Sequence, residues 1–205
     1  SDVCSSDLKR LTWSLAKIDE VIKRLNAIDR VNVFTGDPED PTIYDKDNTK
    51  ILISIDGIKG TKIKSILRTK YNIRLEMSDY YHALILTSVM NEDLDYEKLL
   101  SAIEDLAKTS PYEEINKVSI KMPNPKIVIK PADAYYGKKV QLELKNAIGK
   151  VSATPIIPYP PGIPLIVPGE EITKEIYEHI MFLLENGMEI VGLMGYNKDH
   201  TVVIE

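Results

Sequence analysis

Apolar residues recur every three or four positions through residues 9–28, where Leu11, Leu15, Ile18, Ile22, Leu25 and Ile28 fall on one face of an amphipathic helix. The period then changes. In "TKILISIDGI", residues 49–58, Ile51, Ile53 and Ile55 point the same way, which predicts a half-buried strand. Gly57 and Gly60 bracket a turn, Thr61 is placed to cap a helix over 62–71, and "IRLEMSD" and "HALILTSVM" read as two further strands. Asp93 or Asp95 would cap a helix through residue 109 with an apolar stripe of Leu99, Ile103 and Leu106. The order helix, strand, helix, strand, strand, helix describes a small α+β domain over residues 9–110.

A proline-punctuated connection follows over 111–130, with "KIVIK" as a short strand. The last segment, residues 131–205, has a different character. It opens with a short helix around Tyr135 and Tyr136 and an element running into Gly149. Thr173 then caps a helix bearing Ile176, Ile180, Leu183 and Leu184, with Gly187 at its end, before two closing strands. Between them lies "IIPYPPGIPLIVPGEEIT", residues 156–173, with five prolines between Pro158 and Pro168. Proline has no N–H to donate, so this run is neither an ordinary helix nor a central strand. It is too apolar for a solvated linker, and a stiff, largely buried, extended path is expected. Such paths occur where a loop must hold one shape at a site or interface.

Composition narrows the function. A formal charge of −5 with no basic block argues against nucleic-acid binding. No apolar run approaches the roughly 20 residues that span a membrane, and nothing at the start resembles a secretory signal, so a cytoplasmic protein without membrane contact is the expectation. The single cysteine, Cys4, leaves no disulfide framework, and His82, His179 and His200 lack metal-ligand spacing. A satisfied core or edge role is expected for His82 and a solvated or partner-facing one for His179. There is no GxSxG, P-loop or GxGxxG. "SDVCSSDL", residues 1–8, resembles the translation of a sequencing-adapter oligonucleotide, so the expectation is an artefactual start and a fragment of a longer protein.

Residues 147–170, "AIGKVSATPIIPYPPGIPLIVPGE", concentrate the informative residues: Tyr159, Gly162, Gly169 and Glu170. Tyr159 has an aromatic body with a polar tip, and Gly162 lets the chain turn between rigid prolines. Glu170 precedes a helix whose positive end favours a carboxylate. It is either a capping acid or an anion aimed at a cationic ligand, and its position alone does not decide.

This stretch resembles the signature of the C-terminal domain of bacterial ornithine/lysine/arginine decarboxylases, in which an Ala-Ile-Gly-Arg-Ser/Val-Ser-Ala segment precedes Pro-Tyr-Pro-Pro-Gly-Ile-Pro and Pro-Gly-Glu. Residues 147–153, 158–164 and 168–170 carry it, and Lys150 departs from the more frequent Arg. Residues 49–100 are similar to the small domain that follows the cofactor domain in the shorter, wingless, arginine-decarboxylase-like members. The resemblance implies the small domain of a fold-type-I pyridoxal-phosphate enzyme followed by the family's C-terminal α/β domain. It also implies a cytoplasmic lyase of polyamine biosynthesis, a basic amino-acid substrate with arginine favoured over lysine or ornithine, and a homo-oligomer, dimeric or larger, when complete. The family's cofactor-bearing lysine lies in a Ser-x-His-Lys segment of a large domain, and no such segment occurs here. No catalytic, cofactor-binding or metal-ligating residue is therefore assigned to this chain, and it is expected to be inactive alone and sticky where the large domain should pack. Tyr159, Gly162, Ile163 and Glu170 are the substrate-binding candidates, Glu170 as the attractor of the substrate's distal cation, with an acid near Asp133 second. Two other readings remain: a stand-alone regulatory or binding module of polyamine metabolism, and a fold-type-I enzyme with a different reaction.

Overall fold

The computed structural model describes residues 2–36, 39–115, 123–160 and 162–205, with side chains from Asp7 onward. The chain divides into two compact units, Ser1–Asn116 and Lys117–Glu205.

In the first unit the element order is α1 (Asp2–Asn26), β1 (Val31–Phe34), β2 (Lys50–Ile55), α2 (Gly60–Tyr71), β3 (Met77–Ser78), β4 (Ala83–Leu86) and α3 (Asp93–Thr109). The strands form one antiparallel sheet in the order β1-β2-β4-β3. Ile51, Ile53 and Ile55 are buried, as the alternation predicts. They share a core with Ile18, Val21 and Leu25 of α1, Ile63 and Leu67 of α2, and Leu99, Ile103 and Leu106 of α3.

Boundaries differ from the sequence expectations for local reasons. Helix α1 starts at Asp2, well before residue 9. Helix α2 starts at Gly60 with Lys59 as N-cap, not at a Thr61 cap. The Gly60 N–H donates to the Tyr80 carbonyl at 3.0 Å, and a Cβ at Gly60 would sit 2.1 Å from the His82 carbonyl oxygen. The 79–82 turn therefore fixes where α2 begins. Helix α3 is capped by Glu92, whose backbone N–H donates to Asp95 in a capping box. Strand β1 is an addition to the sequence expectations, while the strands expected in "IRLEMSD" and "HALILTSVM" are shorter, as β3 and β4.

The second unit contains α4 (Pro131–Tyr136), β5 (Lys139–Glu143), a 3-10 turn (Leu144–Ala147), β6 (Ile157–Tyr159), α5 (Lys174–Glu185), β7 (Glu189–Val191) and β8 (His200–Ile204). Strand β5 pairs with β8, and β6 with β7, both antiparallel. Single bridges Ser152↔Val203, Val151↔Glu171 and Ile127↔Glu170 continue outward from β8. The expected strand at residues 126–130 is reduced to the bridge at Ile127. Thr173 caps α5 as predicted, accepting the Ile176 N–H. The end of α5 closes with Gly187 N–H on the Leu184 carbonyl and Met188 N–H on the Leu183 carbonyl. Ile156, Ile166, Ile172, Ile176, Ile180 and Val203 lie at the centre of this unit's own core.

Candidate functional site

The proline-rich run folds as a narrow loop closed at its base. Ile156 N–H donates to the Ile166 carbonyl at 3.0 Å, and Leu165 N–H donates to the Ile156 carbonyl at 2.9 Å. Pro158 sits within β6 yet costs no ladder, because β6 belongs to a sheet of two strands. Ile156, Pro158, Pro160, Leu165 and Ile166 face inward, as the expected stiff path requires.

The tip of the loop does the reverse. Tyr159 is 44 % exposed and Ile163 60 % exposed. Gly162 lies beside the Tyr159 ring, where an added Cβ would be 3.5 Å away, and its N–H donates to the Pro158 carbonyl at 3.0 Å. All three candidates are open to solvent at the tip.

Glu170 lies beyond the Ile156–Ile166 closure, away from that tip along the chain. Residues 167–170 form a tight turn in which Glu170 N–H donates to the Val167 carbonyl at 3.2 Å. Its Oε2 accepts the Val167 N–H at 2.7 Å. Helix α5 begins only at Lys174 with Thr173 as its cap, so Glu170 caps its own turn and not the helix. Gly169 takes φ +95°, a conformation that L side chains rarely adopt, and a Cβ there would lie 2.3 Å from the Ile129 carbonyl oxygen. The Gly169 carbonyl accepts from Val128 and Ile129, and its N–H donates to Ser152.

The halves of the quoted signature therefore interlock. Ser152 N–H donates to the Glu170 carbonyl, Gly149 N–H to the Ile172 carbonyl, and Ile172 N–H to the Lys150 carbonyl. Ser152 is fully buried, its hydroxyl donating to the Thr154 carbonyl at 2.7 Å. Much of what makes the segment distinctive in sequence is the backbone geometry of this junction. Lys150 is exposed and makes no ion pair among the described residues, so nothing here uses the fork that an Arg would offer. Sequence reasoning missed Ser152 and the buried hydroxyls of Thr154 and Thr201, which lack a hydrogen-bond partner among the described residues. Small hydroxyl residues carry no periodic signal that separates a buried site from a loop.

The remaining candidates stay dispersed. Asp133 lies in the first turn of α4. His82 sits beside Asp79, its ring nitrogen 3.3 Å from the carboxylate, whose hydrogen bond raises the His82 pKa. His179, half-buried on α5, has its pKa lowered by burial. His200 contacts Asp199 at 2.7 Å. No group of three His, Cys, Asp or Glu residues able to hold a metal ion occurs among the described residues, and no helix among them is long and apolar enough to cross a membrane.

Comparison with known proteins gives a consistent family. Residues 113–199 match the model of the Orn/Lys/Arg decarboxylase, C-terminal domain. The chain is 32 % identical over 200 residues to an arginine decarboxylase of Halalkalibacterium halodurans, an alignment covering 94 % of the chain and 40 % of the relative. It is 34 % identical over 154 residues to an arginine decarboxylase of Bacillus anthracis, covering 73 % and 31 %. The constitutive lysine decarboxylase of Escherichia coli has the same fold over 96 % of the chain and 41 % of that structure, with a TM-score of 0.72 at 17 % identity. The chain thus spans about a third to two fifths of the length of these relatives.

Proposed function

The chain belongs to the Orn/Lys/Arg decarboxylase family, whose C-terminal domain it carries, and from this we propose that it is the wall-and-recognition part of a pyridoxal-phosphate-dependent decarboxylase of a basic amino acid, arginine first. The observation that supports this most is the family match over residues 113–199, which contains the loop tip and Glu170. Arginine is favoured because the relatives from Halalkalibacterium and Bacillus carry the name arginine decarboxylase.

The residues present do not fit the cofactor itself. Covalent capture of an aldehyde cofactor needs a lysine whose pKa is depressed by burial or neighbouring cations. Among the described residues, the lysines with a shifted pKa move the other way. Asp93 and Glu20 hydrogen-bond Lys17 and raise it, and Asp105 and Tyr71 raise Lys70. No lysine follows a histidine anywhere in the sequence. In this reading the chain alone is inactive, and catalysis requires a cofactor-binding domain of the kind found in the family.

The chain's own contribution is shape and charge. Tyr159, Gly162 and Ile163 supply a stiff apolar surface suited to the methylene stem of a basic amino acid. Glu170 has one oxygen committed to Val167, and its other oxygen accepts no hydrogen bond among the described residues. That oxygen draws the substrate's distal cation. The assembly is a cytoplasmic homo-oligomer in which the loop serves a pocket near a subunit boundary.

Replacing Glu170 by Gln in the complete enzyme tests the assignment. Gln keeps an acceptor for the Val167 N–H and removes the charge. KM for the basic amino acid should rise about tenfold with little change in kcat, the loss expected for one charge-assisted hydrogen bond. An unchanged KM removes Glu170 from substrate binding.

A further inference from the structure

Among the described residues, strand β5 is bonded to a neighbour on one side only. Its partner β8 lies on that side, and β8 continues through residues 151–153 away from β5. Leu144 N–H donates to the Asp199 carbonyl, and Glu205 N–H to the Lys138 carbonyl. In an antiparallel ladder this alternation turns the backbone groups of even-numbered residues toward β8. Those of Lys139, Gln141 and Glu143 face the open edge. Four of the five residues of β5 are exposed, and among the described residues no strand pairs with that edge.

The sequence of the edge, Lys139-Val140-Gln141-Leu142-Glu143, is complementary to itself when reversed. Antiparallel pairing of two copies about a twofold axis at Gln141 sets Lys139 opposite Glu143 and Val140 opposite Leu142, at both ends. Gln141 meets Gln141. The residues paired through hydrogen bonds in this register are Lys139, Gln141 and Glu143, the same three whose N–H and C=O groups face outward, so every outward group finds a partner.

The side chains agree with this register. Val140 and Leu142 stand across from Val203 and Thr201, both fully buried, so this face continues the core, and Val140 remains 37 % exposed at its rim. A second copy would cover that rim. On the opposite face, Lys139 lies 4.5 Å from the Tyr135 ring centroid, which restricts the lysine near the edge.

We propose that the free edge of β5 is a self-association surface, joining two copies of this chain into a continuous antiparallel sheet β8–β5–β5–β8 about a twofold axis at Gln141. Unpaired edges are usually blunted by charged side chains, especially lysine, or by proline; here the two edge charges, Lys139 and Glu143, are of opposite sign and favour one register. The contact is small, so association is weak and concentration-dependent.

Sedimentation velocity of the full 205-residue chain across a concentration series tests the proposal. The chain should show a reversible dimer. Lys139→Glu and Glu143→Lys each place like charges opposite each other at both ends, and each alone should lower the association constant by about tenfold. Mixing the two variants restores opposite charges at both ends, so the mixture should form a heterodimer at least as strong as the wild-type dimer. Gln141→Pro removes an N–H that the monomer does not use and should abolish the dimer while leaving circular dichroism unchanged. A wild-type chain that stays monomeric, single variants that associate like wild type, or a mixture no stronger than its components would overturn the proposal.

Discussion

Replacing Gly169 by alanine isolates the close approach that locks the signature segment together. The backbone there sits at φ +95°, and the new methyl would lie 2.3 Å from the Ile129 carbonyl oxygen, where real contacts stay beyond 3.0 Å. Gly149 provides the control, with φ +79° and nothing within 4 Å of an added Cβ. Alanine at either position carries the left-handed penalty, about 1 kcal/mol. At Gly169 the segment bearing Ile129 must also move away. That movement breaks the bonds from Val128 and Ile129 to the Gly169 carbonyl, 2.8 and 3.2 Å long, each contributing about 1 kcal/mol. Gly169→Ala should therefore cost about 3 kcal/mol and Gly149→Ala about 1 kcal/mol. Urea unfolding followed by far-UV circular dichroism measures both, and amide exchange at Val128 and Ile129 should accelerate at least about tenfold in Gly169→Ala alone. Equal costs for the two variants, within about 0.5 kcal/mol, would refute the claim that backbone approach makes Gly169 necessary.

Glu170→Ala removes the acceptor for the Val167 N–H and should destabilise the second unit by about 1–2 kcal/mol, while Glu170→Gln should cost less than half of that in the same urea titration. His82 gains a carboxylate partner on folding, so its pKa is raised, chiefly by the hydrogen bond to Asp79. The resulting stability is complete below the unfolded value of about 6.5 and is lost as pH rises through the folded value. Both side chains are more than a third exposed, at 41 % and 50 %, so the effect is small, about 0.5 kcal/mol or less. An NMR titration of His82 should give a midpoint above about 6.5, and His82→Gln should flatten the wild-type fall in stability from about pH 6 to pH 8. A midpoint at or below the free value would contradict the pairing.

The sequence made the long elements legible and the short ones less so. Repeated apolar spacing located α1, α3 and α5, and three alternating isoleucines located β2, because burial of a face leaves a period. Strand β1 escaped the pattern, and of the strand expected over "IRLEMSD" only Met77–Ser78 pairs, as β3; both exist because β2 and β4 offer them a ladder. The start of α2 is set by Gly60 against the His82 carbonyl, a tertiary contact invisible along the chain. At the candidate site, proline content led to the expectation of a largely buried path. The base of the loop is buried, while its tip, Tyr159 and residues 162–164, is exposed. The Pro-Gly-Glu turn was the ambiguous part. Its glutamate was open to a capping reading, yet the group it caps is Val167 within the turn and not the helix that follows. Only the path of the backbone through residues 126–130 and 151–153 shows why a glycine is needed there.

The most direct test of the central claim is agmatine formation by mixtures. The purified chain, supplied with pyridoxal phosphate and arginine, should release no carbon dioxide and no amine. The cofactor-binding portion of a related arginine decarboxylase, lacking its own C-terminal part, should likewise be inactive or nearly so. Combining the two should produce agmatine, and the rate should saturate with added chain. Turnover by the chain alone, or no gain on mixing, would contradict the account.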